Sequence, residues 1–95
     1  MLRDVIEVRS VGDYRLWLRF DNDVEGEVDL GPMLSFEGVF APLKDQSYFA
    51  KVGVNDELGT VTWPSGADWD SLVLYSLVTG RPVEELLTEG AAASR

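Results

Sequence analysis

Two runs of strict alternation, separated by three polar residues, limit what this chain can fold into more than any other feature. Tyr14, Leu16, Leu18 and Phe20 alternate with Arg15, Trp17 and Arg19. After Asp21-Asn22-Asp23, the residues Val24, Gly26, Val28 and Leu30 alternate with Glu25, Glu27 and Asp29. A period of two belongs to a β-strand with one covered face and one open face, so the pair reads as a hairpin. Opposed residues in an antiparallel pair share a face. A three-residue loop pairs Phe20 with Val24 and Leu16 with Val28, and sets Arg19 opposite Glu25 and Arg15 opposite Asp29 on the outside. A two-residue loop would set Phe20 against Glu25 and is rejected. Val5 to Ser10 adds a preceding strand with Ile6 and Val8 inward, and a loop of Val11-Gly12-Asp13 then pairs Val8 with Leu16 and Ile6 with Leu18. The result is a meander with one apolar face and one charged face. Trp17 lies among the arginines of the charged face, where an indole needs cover. The returning chain is the expected cover, and a partner is the alternative.

Gly31-Pro32 stops the third strand, and Pro32 to Phe36 reads as one helical turn. Met33, Leu34, Phe36, Val39, Phe40 and Leu43 are too apolar for an exposed loop, and are expected in an irregular segment tucked against the sheet. Lys44 to Ser47 is a polar turn or the start of a short helix. Tyr48 to Val54 and Leu58 to Trp63 read as a second hairpin around Asn55-Asp56-Glu57. Its register is open between Val54 opposite Leu58 and Val52 opposite Val61. Pro64 ends the strand, Gly66 permits a positive-φ turn, and Asp70, with Asp68 competing, caps a helix from Ser71 to Thr79 that Gly80 terminates. Pro82 opens a further turn through Leu86 and Leu87. The fold class is α+β: a small antiparallel β-meander plus a second β-hairpin, packed with one or two short C-terminal helices. It forms a single compact domain over residues 1–90, with residues 91–95 a tail that nothing anchors.

The chain holds neither cysteine nor histidine, which excludes disulfides, thiol nucleophiles and the usual zinc, haem and iron–sulfur ligand sets. Its formal charge of −9 opposes nucleic acid and anionic lipid at long range. The eight basic residues are scattered along the sequence. No stretch has the length of a membrane span and the start lacks a signal peptide's apolar run, so a cytoplasmic location is expected, with no membrane partner.

The densest meeting of aromatic, charged and rare backbone residues is Val61 to Tyr75. Asp68 and Asp70 could grip magnesium or calcium if a third oxygen ligand came from elsewhere. The commoner role of such aspartates is capping and turn formation, so no metal site is assigned. No residue reads as an activated nucleophile, phosphate-binding glycine loops are absent, and no catalytic residue or cofactor is assigned. Trp63, at a strand end, is expected in the core. Trp69, between two acids, is balanced between core lid and contact residue. Trp69, Asp68 and Trp17 are therefore the candidate interaction surface, and Pro64, Gly66 and Asp70 the structural turn and cap.

The Phe20-Asp21-Asn22-Asp23 turn, Val28-Asp29-Leu30, Phe40-Ala41-Pro42-Leu43, Phe49, and above all Leu58-Gly59-Thr60-Val61-Thr62-Trp63-Pro64-Ser65-Gly66-Ala67-Asp68 followed by Leu74-Tyr75 carry a resemblance. Over Val5 to Tyr75 the chain resembles the bacterial domain-of-unknown-function family numbered 2442. Where that pattern usually has aspartate-glycine after the second strand, this chain has Asn22-Asp23; where it often has isoleucine between its late aspartates, this chain has Trp69. The resemblance implies a small prokaryotic α+β protein. Some members carry an added helix-turn-helix, and others are encoded beside a small partner in a toxin–antitoxin-like arrangement; the family has no established catalytic or ligand residues. The leading expectation is a non-enzymatic protein-interaction module, a partner of or antitoxin-like protein for a small, basic protein of the toxin kind. A DNA-associated accessory is the alternative, although direct nucleic-acid binding is not expected, and a divalent-metal enzyme using Asp68 and Asp70 comes third. Homo-oligomerisation is compatible with each.

Overall fold

Leu16, Leu18 and Phe20 are fully buried, and the core is assembled on them. The computed structural model describes residues 4–85. These form β1 (Val5–Gly12), β2 (Arg15–Phe20) and β3 (Glu25–Asp29), then 3-10 turns at Gly31–Met33 and Gly38–Lys44, α1 (Gln46–Phe49), β4 (Gly53–Asn55), β5 (Thr60–Thr62) and α2 (Ser71–Thr79). The strands make an antiparallel sheet in the order β1-β2-β3 and a separate β4-β5 hairpin. A last helical turn begins at Val83. Its expected course through Leu86 and Leu87, the tail at 91–95 and the outer bounds of the 1–90 domain fall outside the described residues.

The β2–β3 register is the one that the alternation requires: Leu16 faces Val28, Arg19 faces Glu25 and Arg15 faces Asp29. Phe20 N–H donates to the Val24 carbonyl at 2.8 Å, and Asp23 N–H to the Phe20 carbonyl at 3.0 Å. This three-residue loop needs its last residue left-handed, and Asp23 takes φ 68°. Asn22 at its centre accepts from Val24 N–H (3.2 Å) and donates to the Tyr75 hydroxyl (2.9 Å). The loop is thereby tied to α2, whose Tyr75 ring meets Phe20 edge-on at 5.0 Å.

The β1–β2 register corrects the expected one. Val8 faces Leu18 rather than Leu16, Ser10 faces Leu16, and Val5 faces Phe20. The expected register would have set Arg9 opposite Arg15, like charges face to face, which destabilises a sheet; the observed one sets Arg9 opposite Trp17. The turn shortens to Asp13 and Tyr14, both at positive φ (51° and 63°), which matches the hand of a tight hairpin. Tyr14, expected to begin β2, is drawn off the strand because its ring docks on Phe49 (5.3 Å) and Phe36 (5.5 Å) and its hydroxyl donates to the Lys44 carbonyl. Register shifts at Val5/Glu7 and Ser10/Gly12 leave Ile6 and Val11 as the extra residues of two bulges, both exposed. Ile6 is therefore not the inward residue that simple alternation gives, and Val5 takes its place in the core.

The connecting segment tucks against the sheet through Leu34, Phe36, Phe40 and buried Leu43, whereas Met33 and Val39, expected with them, are exposed. Tyr48 is helical, not the start of a strand, because Asp45 caps α1 by accepting from Ser47 N–H at 2.9 Å. The second hairpin is correspondingly short. Its loop has the even parity of one open alternative but is two residues longer, pairing Val54 with Val61 and Gly53 with Thr62. Gly59 closes this loop at φ 68°, where its carbonyl accepts from Val5 N–H at 2.9 Å and a side chain would run into the Asp4 carboxylate. Helix α2 packs on β3 at Gly26, where an added Cβ would come within 2.9 Å of Val78 Cγ1.

Two stability measurements check these loops. Gly59→Ala should cost about 1–2 kcal/mol from the left-handed backbone, before the shift of Asp4 is counted. Asp23→Gly should gain about 0.5–1 kcal/mol, because its positive φ suits glycine. Unchanged urea midpoints for both variants would contradict the loop geometry.

Candidate functional site

The signature from Trp63 to Asp70 is built around one buried ring. The Trp63 indole is 3% exposed, donates through Nε1 to the Phe49 carbonyl at 2.8 Å, and packs on the Phe49 ring at 5.5 Å. Pro64, Ser65 and Gly66 then form a second three-residue loop with the bonding of the Phe20–Val24 loop. Trp63 N–H donates to the Ala67 carbonyl (2.9 Å), and Gly66 N–H to the Trp63 carbonyl (3.0 Å). Here the left-handed position is held by Gly66, at φ 93°, rather than by an aspartate. The Ser65 hydroxyl donates to the Val39 carbonyl at 2.6 Å and fastens the loop to the connecting segment.

The chain then runs back beside β5. Asp68 pairs with Thr62, Trp69 N–H donates to the Val61 carbonyl at 3.4 Å, and the Thr60 hydroxyl donates to the Trp69 carbonyl. Asp70 ends the return, its Oδ1 accepting from Leu72 N–H at 2.8 Å as the cap of α2. Gly80 closes that helix in the left-handed region, at φ 73°. The Trp69 ring stands edge-on to Phe40 at 5.9 Å and is half-buried against the core.

An open depression of about 330 Å³ lies on this return, lined by Leu58, Thr60, Asp68, Trp69, Asp70 and Ser71. Leu58 is 56% exposed at its rim. Asp68 is exposed, and its carboxylate meets no hydrogen-bond donor or cation among the described residues. The turn-bonding expected of its side chain is absent there; it is the backbone of Asp68 that pairs. Among the described residues, no group of three or more acids stands close enough to hold a metal ion.

Trp17 does not join this depression. It lies on the outer face of the meander, whose inner side carries Leu16 and Leu18. The cover it has is the Arg9 guanidinium, 5.0 Å from its ring centre, while Leu34, Phe36, Phe40 and Leu43 of the returning chain pack against the core. Arg9, Arg15 and Arg19, scattered in sequence, gather around it. Glu7 bridges Arg19 (2.8 Å) and Arg9 (3.7 Å), and Glu27 pairs with Arg15 at 3.8 Å. Such exposed pairs contribute about 0.2–1 kcal/mol each. The observed β1 register is what sets Arg9 against Trp17 rather than against Arg15. Leu58 and Thr60 were missed because only the folded loop brings them beside Trp69.

A family model described as "Protein of unknown function (DUF2442)" matches residues 5–80, and the chain belongs to that family. No curated protein and no solved structure gives a significant match. No helix among the described residues is long and apolar enough to cross a membrane.

The roles of the two aspartates separate by mutation. Asp70→Ala should lower stability by about 1 kcal/mol, the value of a lost N-cap. Asp68→Ala should change it by less than about 0.5 kcal/mol, as at an unbonded surface position. Equal losses in chemical denaturation would contradict the assignment.

Proposed function

We propose that this DUF2442 member is a non-enzymatic protein-interaction module of the cytoplasm, binding a small basic protein, in an antitoxin-like pairing, at the depression beside Trp69. The observation that carries this reading is the unbonded Asp68 carboxylate, presented next to a half-buried indole and the exposed Leu58 on a segment fixed at both ends. A guanidinium or ammonium group entering there would meet a carboxylate and an aromatic surface together, a pairing that strengthens as water is excluded. The net charge of −9 adds long-range attraction for a basic partner.

The gathering of Arg9, Arg15 and Arg19 around Trp17 favours a second reading, a DNA-associated accessory. Glu7, Glu25, Glu27 and Asp29 share that face, however, and reduce its attraction for phosphate. A divalent-metal enzyme using Asp68 and Asp70 ranks below both, since Asp70 already commits one oxygen to its helix.

Affinity capture from lysate of the native host tests the leading reading, with wild type, Asp68→Lys and Glu25→Lys compared. The two variants change net charge equally, but only the first lies in the depression. The expected result is one small basic protein retained by wild type and Glu25→Lys, and depleted roughly tenfold or more by Asp68→Lys. Equal depletion by both variants, or no enrichment by wild type, contradicts it.

A further inference from the structure

The return of the chain beside β5 leaves a strand edge open. Thr62 and Asp68 face each other as a pair held by their neighbours' bonds, from Trp63 N–H to the Ala67 carbonyl and from Trp69 N–H to the Val61 carbonyl. Extended backbone alternates its bonding direction from one residue to the next. The N–H and carbonyl of Asp68 therefore point away from β5. So does the N–H of Asp70, which is still extended at φ −64° and ψ 126°. None of these three groups has a partner among the described residues, and both aspartates are exposed. One residue, Asp68, thus offers a main-chain donor, a main-chain acceptor and a carboxylate, all unbonded there and beside the depression.

We propose that this edge takes an extended segment of the partner as an added strand, with an arginine of that segment opposite Asp68. The inference rests on the partner-binding reading and adds how the partner is held. The residue opposite Asp68 exchanges two main-chain hydrogen bonds with it, and a carbonyl two residues away accepts from Asp70 N–H. Opposed residues share a face, so the same pairing lays the arginine along the Asp68 carboxylate, where two parallel N–H···O bonds fit. The neighbouring residue falls opposite Trp69, on the face of the half-buried indole, and an apolar side chain suits that place. The unpaired backbone selects an extended peptide; the carboxylate and the indole select its sequence. A second copy docked through this edge would set Asp68 against Asp68 or against Asp70. Like charges directly opposed destabilise a sheet. Nucleic acid offers phosphates, not alternating main-chain donors and acceptors.

The probe is the peptide acetyl-Thr-Thr-Val-Arg-Val-Thr-Thr-amide, titrated to about 2 mM because a few main-chain bonds and one ion pair bind weakly. Two further peptides carry a single N-methyl group. One has it on the arginine amide, which faces Asp68, and the other on the following valine amide, which faces away. A fourth has citrulline for arginine. NMR on the intact, isotope-labelled protein reads amide shifts and exchange. The parent peptide should move the Asp68 and Asp70 amides downfield and slow their exchange severalfold. Methylation of the arginine amide should weaken binding by roughly tenfold or more, and of the valine amide by less than about threefold. No change at the Asp68 and Asp70 amides overturns the proposal, as does equal loss with the two methylated peptides. Binding that both methyl groups leave intact, but that Asp68→Asn abolishes, means a cation held without a strand: strand addition falls and the partner-binding reading stands. Equal binding of the citrulline peptide does the reverse, upholding strand addition and contradicting a basic partner.

Discussion

The hydrogen bond from the Trp63 indole to the Phe49 carbonyl fixes where the second half of this protein goes. Phe49 ends α1 and touches Tyr14 at the first hairpin, while Trp63 follows β5. Joining them places the connecting segment, the second hairpin and the meander around one shared core. Because Trp63 is anchored, the Pro64–Gly66 loop can turn sharply and send Asp68 to Asp70 back along β5. That return positions the cap of α2 and the depression beside it. The indole costs little to bury here, since its one polar group is bonded.

Both three-residue loops solve the same problem with the same bonds, and differ in one residue. Glycine fills the left-handed position at Gly66, where a fixed return path is needed. Aspartate fills it at Asp23, where Asn22 compensates by bonding to Tyr75. The loop with the less suitable backbone residue thus carries the extra long-range tether. The meander also divides its work by face. Inward residues build the core, whereas Arg9, Trp17 and Glu27 stand in one row on the outer face.

Legibility in the sequence followed the range of the forces involved. The β2–β3 register, the Gly66 turn, and the span and ends of α2 are dictated by alternation, loop length and capping, all of which are local. The β1 register was misjudged because its turn depends on Tyr14 docking against Phe36 and Phe49, contacts that lie far along the chain. β-Propensity places Tyr48 in a strand, but the Asp45 cap three residues before it is the stronger signal and makes it helical. What that register error hides is the placing of Arg9 beside Trp17 rather than opposite Arg15. The depression required Leu58 and Trp69 to be brought together by a loop whose length the sequence left open.

Hydrogen exchange at the three tryptophan indoles, followed by NMR on the intact protein, tests the central claim that the Trp63 indole anchors the fold through its hydrogen bond while Trp17 and Trp69 are only half-buried. The Trp63 indole N–H should persist until the whole domain unfolds, since it is buried and bonded. Those of Trp17 and Trp69, half-buried and without a hydrogen-bond acceptor among the described residues, should exchange far sooner. A Trp63 indole that exchanged as fast as the other two would contradict the account.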